Sequence, residues 1–116
     1  MQIFDHKRMG ITQGSRVLFS DFADNGPMWS GSGPRAQRFD VRFEDNYQSP
    51  PMVQVALNMW DMDHKHNQRM DISAEEITTT GFTLVFKTWG DSRVARVRAS
   101  WLVIGALAHE DDWEIS

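Results

Sequence analysis

From residue 38 onward, apolar and polar residues follow one another with a period of two. Phe39, Val41 and Phe43 alternate with Arg38, Asp40 and Arg42, which on a strand sends the apolar set into a core and the charged set to the other face. Tyr47-Gln-Ser-Pro-Pro51 then forces extended, unpaired backbone. Beyond it, Val53, Val55 and Leu57 form a second apolar row opposite Gln54 and Asn58. Met70 and Ile72, alternating with Arg69, Asp71 and Ser73, predict a third strand that turns Arg69 away from the core. Phe82, Leu84 and Phe86 predict a fourth, and Val97, Ala99, Trp101 and Val103 a fifth, with Trp101 in the core. Thr78-Thr79-Thr80 favours extended backbone, and Gly81 the positive φ of a tight turn. Residues 24–35, with Gly26, Pro27, Gly31, Gly33 and Pro34, predict an irregular loop that pins Trp29 against a neighbouring surface. No segment carries a helical stripe of useful length, so the pattern predicts an antiparallel β-sandwich.

Length and charge narrow the range of partners. The 116 residues suffice for one compact domain with a small core. Twelve basic against sixteen acidic side chains give a net charge of −4, so no overall field draws the molecule to nucleic acid or to an anionic membrane. With no cysteine, disulfides, thiol nucleophiles and cysteine-ligated zinc are excluded. Met1-Gln-Ile-Phe-Asp-His-Lys-Arg8 lacks a signal-peptide core and eighteen apolar residues never run together. The expectation is a soluble chain that inserts in no membrane and is exported, if at all, by lysis, a specialised route or a particle.

Catalytic chemistry finds little support. Asp61-Met-Asp-His-Lys-His66 gathers two carboxylates and two imidazoles. Strand alternation separates Asp61 and Asp63 from His64 and His66 unless the chain turns sharply, so the expectation is a solvated loop and no metal or other cofactor. Its spacing also lacks the glycine and distal glutamate of a helix-loop-helix calcium site. Serine, histidine and aspartate occur without a nucleophile motif, so no enzyme is expected. Arg93, Arg96 and Arg98 form a local basic cluster. On an acidic protein such a stripe fits ion pairs across a sheet or a subunit contact better than phosphate binding, and at a symmetric contact Asp71, Glu75 and Glu76 are the candidate carboxylates. The stretch from Lys87 to Trp101 holds two of the five tryptophans around a Trp89-Gly90-Asp91 turn, where an indole is either a packing anchor or a flat platform for a sugar ring.

Phe43, Tyr47, Pro50-Pro51-x-Val53, Asp61, Arg69, Thr80-Gly81-Phe82, Thr88-Trp89 and Ser100-Trp101, in this order, resemble the pattern of H-type lectin domains, known from snail agglutinins, the C-terminal domain of discoidins and bacterial relatives. The resemblance covers about residues 37–105, with 1–12 and 109–116 as peripheral segments of a single domain spanning 1–116. It implies a six-stranded antiparallel sandwich that assembles as a homotrimer, with stacking into hexamers left open. It also implies metal-independent sites for galactose- or N-acetylgalactosamine-type glycans near the subunit boundaries. Carried over position by position, Arg69 matches the arginine that donates to sugar hydroxyls and Trp89 the aromatic beside the site.

The sequence departs from the animal lectins at Gly90, where they have histidine, and at Ala95, where they have tyrosine. Their glycine-and-acid loop, supplied by the neighbouring protomer, aligns with Ser30-Gly31-Ser32, which lacks the carboxylate. Asp91 is then the candidate replacement acceptor, and Trp29 a replacement aromatic from the adjacent protomer. The expected sugar-binding set is therefore Arg69, Trp89, Gly90, Asp91, Ala95, Ser30 and Ser32. A structural trimerisation or adhesion module of a phage-like or surface particle, with an altered or lost sugar site, is the competing reading. For Arg69 the competing role is a surface salt bridge to Asp71 or Asp91. The acidic tail His109–Ser116 either frays or is tethered through Trp113.

Overall fold

The computed structural model describes residues 1, 3 and 8–108; the tail and Trp113 lie outside them. Six antiparallel strands, β1 (Met9–Ser20), β2 (Arg35–Arg42), β3 (Met52–Met62), β4 (Asp71–Glu75), β5 (Gly81–Thr88) and β6 (Val94–Ala106), form two three-stranded sheets ordered β1-β6-β3 and β2-β5-β4. The period-two segments become β2 to β6, and the sandwich is the expected one.

The central strands β5 and β6 supply the middle of the core. Leu84, Phe86, Val94, Val97, Ala99 and Val103 are fully buried, and Phe19 from β1 meets Phe86 edge-on at 5.3 Å. Removing a side chain the size of Phe86 from water stabilises the fold by about 1.5–3 kcal/mol. Val85 is also fully buried, on the opposite face of β5, because its strand neighbours Arg38 and Ser73 flank it in register.

Strand β1 was not legible from alternation. Its inward positions are Gly10, Thr12 and Gly14, whereas Met9 and Ile11 point outward, so the apolar phase is inverted. Gly14 is small because the Trp101 ring lies across it: a Cβ there would come within 2.3 Å of the indole. Trp101 thus packs against the core cluster, in edge contact with Phe82 at 6.3 Å, while remaining partly exposed. A bulge between Val17 and Phe19 then places Leu18 and Phe19 consecutively in the interior.

Four local expectations need correction. Residues 24–35 contain a one-turn helix, α1 (Pro27–Ser30), started by proline at its first turn and closed when the Gly31 N–H bonds the Pro27 carbonyl. Thr78–Thr80 forms a turn instead of extended chain, because the Thr78 hydroxyl receives the Thr80 and Gly81 N–H groups. Gly81 has no positive φ; it is needed because a Cβ would come within 2.3 Å of the Val41 carbonyl oxygen. Arg69 precedes β4 instead of belonging to it, since side chains and not a strand neighbour hold its backbone.

Candidate functional site

The C-terminal ends of β1, β3 and β5 and the first residues of β4 and β6 share one end of the sandwich, and the Trp89–Arg93 turn crosses it between β5 and β6. Two hydroxyls flanking that turn grip the backbone of residue 69. The Ser92 hydroxyl, fully buried, receives the Arg69 N–H at 2.9 Å and donates to the Asn67 carbonyl at 2.5 Å. From the other side, the buried Thr88 hydroxyl donates to the Arg69 carbonyl at 2.6 Å. Position 69 is therefore fixed at both peptide groups, and only its side chain is free to face solvent.

That side chain lies over Gly90. A Cβ at Gly90 would sit 3.5 Å from an Arg69 guanidinium nitrogen, and its φ of +69° is one that glycine adopts without strain. The guanidinium reaches Asp91, with Nη1 3.4 Å from Oδ1, while the two side chains remain 41% and 49% exposed. Asn67 steadies Asp91 with its side-chain amide at 3.2 Å and its backbone N–H at 3.5 Å. The Asn67 side chain foremost, with backbone N–H groups and the charge of Arg69, holds the Asp91 carboxyl below the usual aspartate range. Trp89 stands at the rim, 42% exposed. The turn thus presents a multi-donor cation next to a carboxylate acceptor, with an exposed indole one residue before Gly90.

Arg35 fastens the preceding loop to the turn. Its guanidinium donates to the carbonyls of Gly33 (3.0 Å), Met28 (3.1 Å) and Ser92 (2.9 Å), while the Gly33 N–H bonds the Gly90 carbonyl at 2.9 Å. Partial burial draws the Arg35 pKa down, but a guanidinium stays charged.

Of the seven expected residues, Arg69, Trp89, Gly90 and Asp91 come together. Ser32 follows them at one remove, because Gly33 of the same chain bonds Gly90. Ser30, expected to serve a neighbouring protomer, bonds within its own chain, its hydroxyl donating to the Asn25 and Gly26 carbonyls. Ala95 is buried, its carbonyl receives the Asp21 and Phe22 N–H groups, and its side chain lines a separate cleft. Trp29 is engaged within its own chain, under the Arg93 guanidinium at 4.4 Å and edge-on to Phe22 at 4.9 Å.

The basic stripe pairs within its own sheet, one of the two arrangements expected of it, though not with Asp71, Glu75 or Glu76. Arg96 faces Asp61 at 3.6 Å and Arg98 donates to Asn58 at 3.1 Å, both on β3, because β6 is the middle strand of β1-β6-β3 while β4 lies in the other sheet. Glu75 and Glu76 pair instead with Arg38. In the Asp61–His66 run, a turn after β3 brings His66 Nδ1 to Asp63 at 2.7 Å, and the Lys65 N–H, followed by His66 and Arg93, keeps Asp63 below its usual range. Among the described residues no group of three or more acidic or imidazole side chains converges as a metal site, and no helix is long and apolar enough to cross a membrane.

The sequence profile of the H-type lectin domain matches residues 38–104. The chain belongs to the H-type lectin domain family. That match contains Arg69, Trp89, Gly90, Asp91 and Ala95, and leaves Ser30 and Ser32 outside it. Among proteins similar to this H-type lectin domain, the ATP synthase subunits region ORF 7 of Fuscovulum blasticum is 62% identical over 92% of this chain and 93% of its own length. Discoidin-1 of Dictyostelium discoideum is 32% identical over 79% of this chain, and the match spans 36% of that protein. The solved structure of recombinant discoidin II from the same organism superposes with a TM-score of 0.73 at 22% identity, covering 94% of this chain and 41% of that one, and so shares the fold. Family membership supports a carbohydrate-binding role and not a catalytic one.

Proposed function

We propose that this lectin domain binds galactose- or N-acetylgalactosamine-type glycans at the Trp89–Asp91 turn and does so as a homotrimer. The observation that carries the reading is Arg69. Its backbone is held at both peptide groups by Ser92 and Thr88, while its guanidinium lies beside a half-exposed Asp91 and an exposed Trp89. A fixed donor next to a fixed acceptor matches two neighbouring hydroxyls of a sugar ring, each of which can give and take a hydrogen bond. The indole offers a flat apolar surface for the ring's C–H face or for an N-acetyl methyl. Asp91 takes the acceptor role that the Ser30–Ser32 segment lacks.

The trimer is supported by the outer face of β1-β6-β3. Ile11, Ile104 and Met52 lie side by side in register, with Ile11 66% and Met52 47% exposed, and Leu102 continues the patch. An exposed apolar row of this kind fits subunit packing. Hydroxyl contacts replace contacts with water, so one site binds weakly and three linked sites gain by avidity.

A glycan array with the purified protein, alongside light scattering, tests both parts. The expected result is retention on galactose- or N-acetylgalactosamine-terminated glycans by a species of three chains. An intact trimer that binds no glycan would instead support a trimerisation or adhesion module.

A further inference from the structure

A second cleft, of about 400 Å³, opens at the same end of the sandwich and excludes Arg69, Trp89 and Asp91 from its lining. One wall is aromatic. Phe22 is 62% exposed yet held in place, its N–H and that of Asp21 both directed at the Ala95 carbonyl and its ring packed edge-on against Trp29. Trp29 is fixed in turn by Arg93, which stacks on the indole and donates Nε–H to the Trp29 carbonyl at 3.0 Å. The facing wall carries Asp61 and Arg96, 3.6 Å apart and each more than half exposed. Ala95, almost wholly buried, lines the cleft together with Ser20, Ala23 and Met62.

We infer that this cleft is a second sugar-ring subsite, and that the ligand of this domain is therefore a glycan of at least two residues. The inference rests on the proposed sugar site at Trp89–Asp91. The cleft repeats the same combination: a rigid aromatic surface for the C–H face of a ring, opposite a carboxylate and a guanidinium that can accept from and donate to hydroxyls. Its volume lies within the range of small-ligand sites. Only Ser92, Arg93 and Val94 separate Asp91 from Ala95 in the chain, and Arg93 joins the turn to the aromatic wall. A terminal sugar at Arg69 and Asp91 and the next residue of the same glycan in the Ala95 cleft would share that bridge. A charged wall facing an aromatic one suits a hydroxylated ring better than an apolar side chain.

Titration calorimetry of the full chain with N-acetylgalactosamine, and with a panel of disaccharides ending in it, provides the test. The unaltered protein is expected to bind at least one disaccharide about tenfold more tightly than the monosaccharide, the size of one additional aromatic contact. Phe22→Ala and, separately, Arg96→Ala, each removing one wall of the cleft, should remove that advantage and leave monosaccharide affinity unchanged. Equal affinity of the unaltered protein for monosaccharide and all disaccharides would overturn the subsite. So would variants that keep the advantage, that lose both affinities equally, or that bind normally per chain but no longer assemble in light scattering. Absence of binding to any of these sugars would overturn the Trp89–Asp91 site itself, and the subsite with it.

Discussion

Replacing Arg69 with alanine is expected to abolish measurable glycan binding and to leave the domain folded. The two effects separate because the backbone and side chain of residue 69 have different partners. Ser92 and Thr88 hold the peptide groups, and an alanine keeps those bonds. The side chain contributes a surface ion pair with Asp91 at 3.4 Å, a solvent-screened contact that adds little to stability. Thermal unfolding should therefore shift by no more than a few degrees. Binding loses charge-assisted hydrogen bonds to sugar hydroxyls, each worth about 1.5–3 kcal/mol, so affinity falls by roughly 10–100-fold from an already weak level. Arg69→Lys should rescue only part of this, since an ammonium lacks the planar fork. The acceptor side predicts the pH behaviour. Asp91 has a folded-state pKa below its ordinary value, so it contributes above the unfolded value of about 3.9 and its contribution fades only as pH falls through the lower folded value. Binding measured by calorimetry should be level from about pH 8 to about pH 5. A loss already complete at pH 5, or an Arg69→Ala protein that binds normally, would count against the pair.

Ser92→Ala is expected to cost stability and function together. The Ser92 side chain is fully buried and serves two backbone groups, receiving the Arg69 N–H and donating to the Asn67 carbonyl. Alanine leaves both without a partner where water has little access, and a buried polar group deprived of its partner costs about 1–3 kcal/mol. A loss of about 2–4 kcal/mol is expected overall, read as a lower urea midpoint with an unchanged slope. Asn67 also carries Asp91, so the loosened backbone displaces donor and acceptor at once. Sugar affinity should fall even under conditions where the variant remains folded. Unchanged stability would mean that the two backbone groups find other partners and that Ser92 does not shape the site.

Much of the fold was legible because core-facing and outward residues alternate along β2 and most of β3 and β6. Strand β1 was not, because its inward residues are glycines and a threonine whose smallness makes room for Trp101, a partner almost ninety positions away. The family pattern singled out Arg69 and the Trp89 turn, and the geometry brings Arg69, Gly90 and Asp91 together beside Trp89 in the chain. Within one chain, Ser30 and Ala95 stand apart from that turn: the Ser30 hydroxyl bonds the Asn25 and Gly26 carbonyls, and Ala95 is buried. The supports of the site, Arg35, Asn67, Thr88 and Ser92, act through backbone carbonyls and N–H groups, so nothing in their residue types announces them. Two small hydroxyl residues bracketing Trp89-Gly90-Asp91 were the available signal. The partners of Arg96 and Arg98 depended on strand order, which periodicity along one chain does not encode.

The most direct measurement is a crystal of this protein soaked with N-acetylgalactosamine. The expected result is one sugar per chain at the turn, two ring substituents within hydrogen-bond distance of the Arg69 guanidinium and the Asp91 carboxylate, and an apolar part of the sugar against Trp89. A saturating soak that leaves the Arg69–Asp91 pair unoccupied, or that seats the sugar away from all three residues, would contradict it.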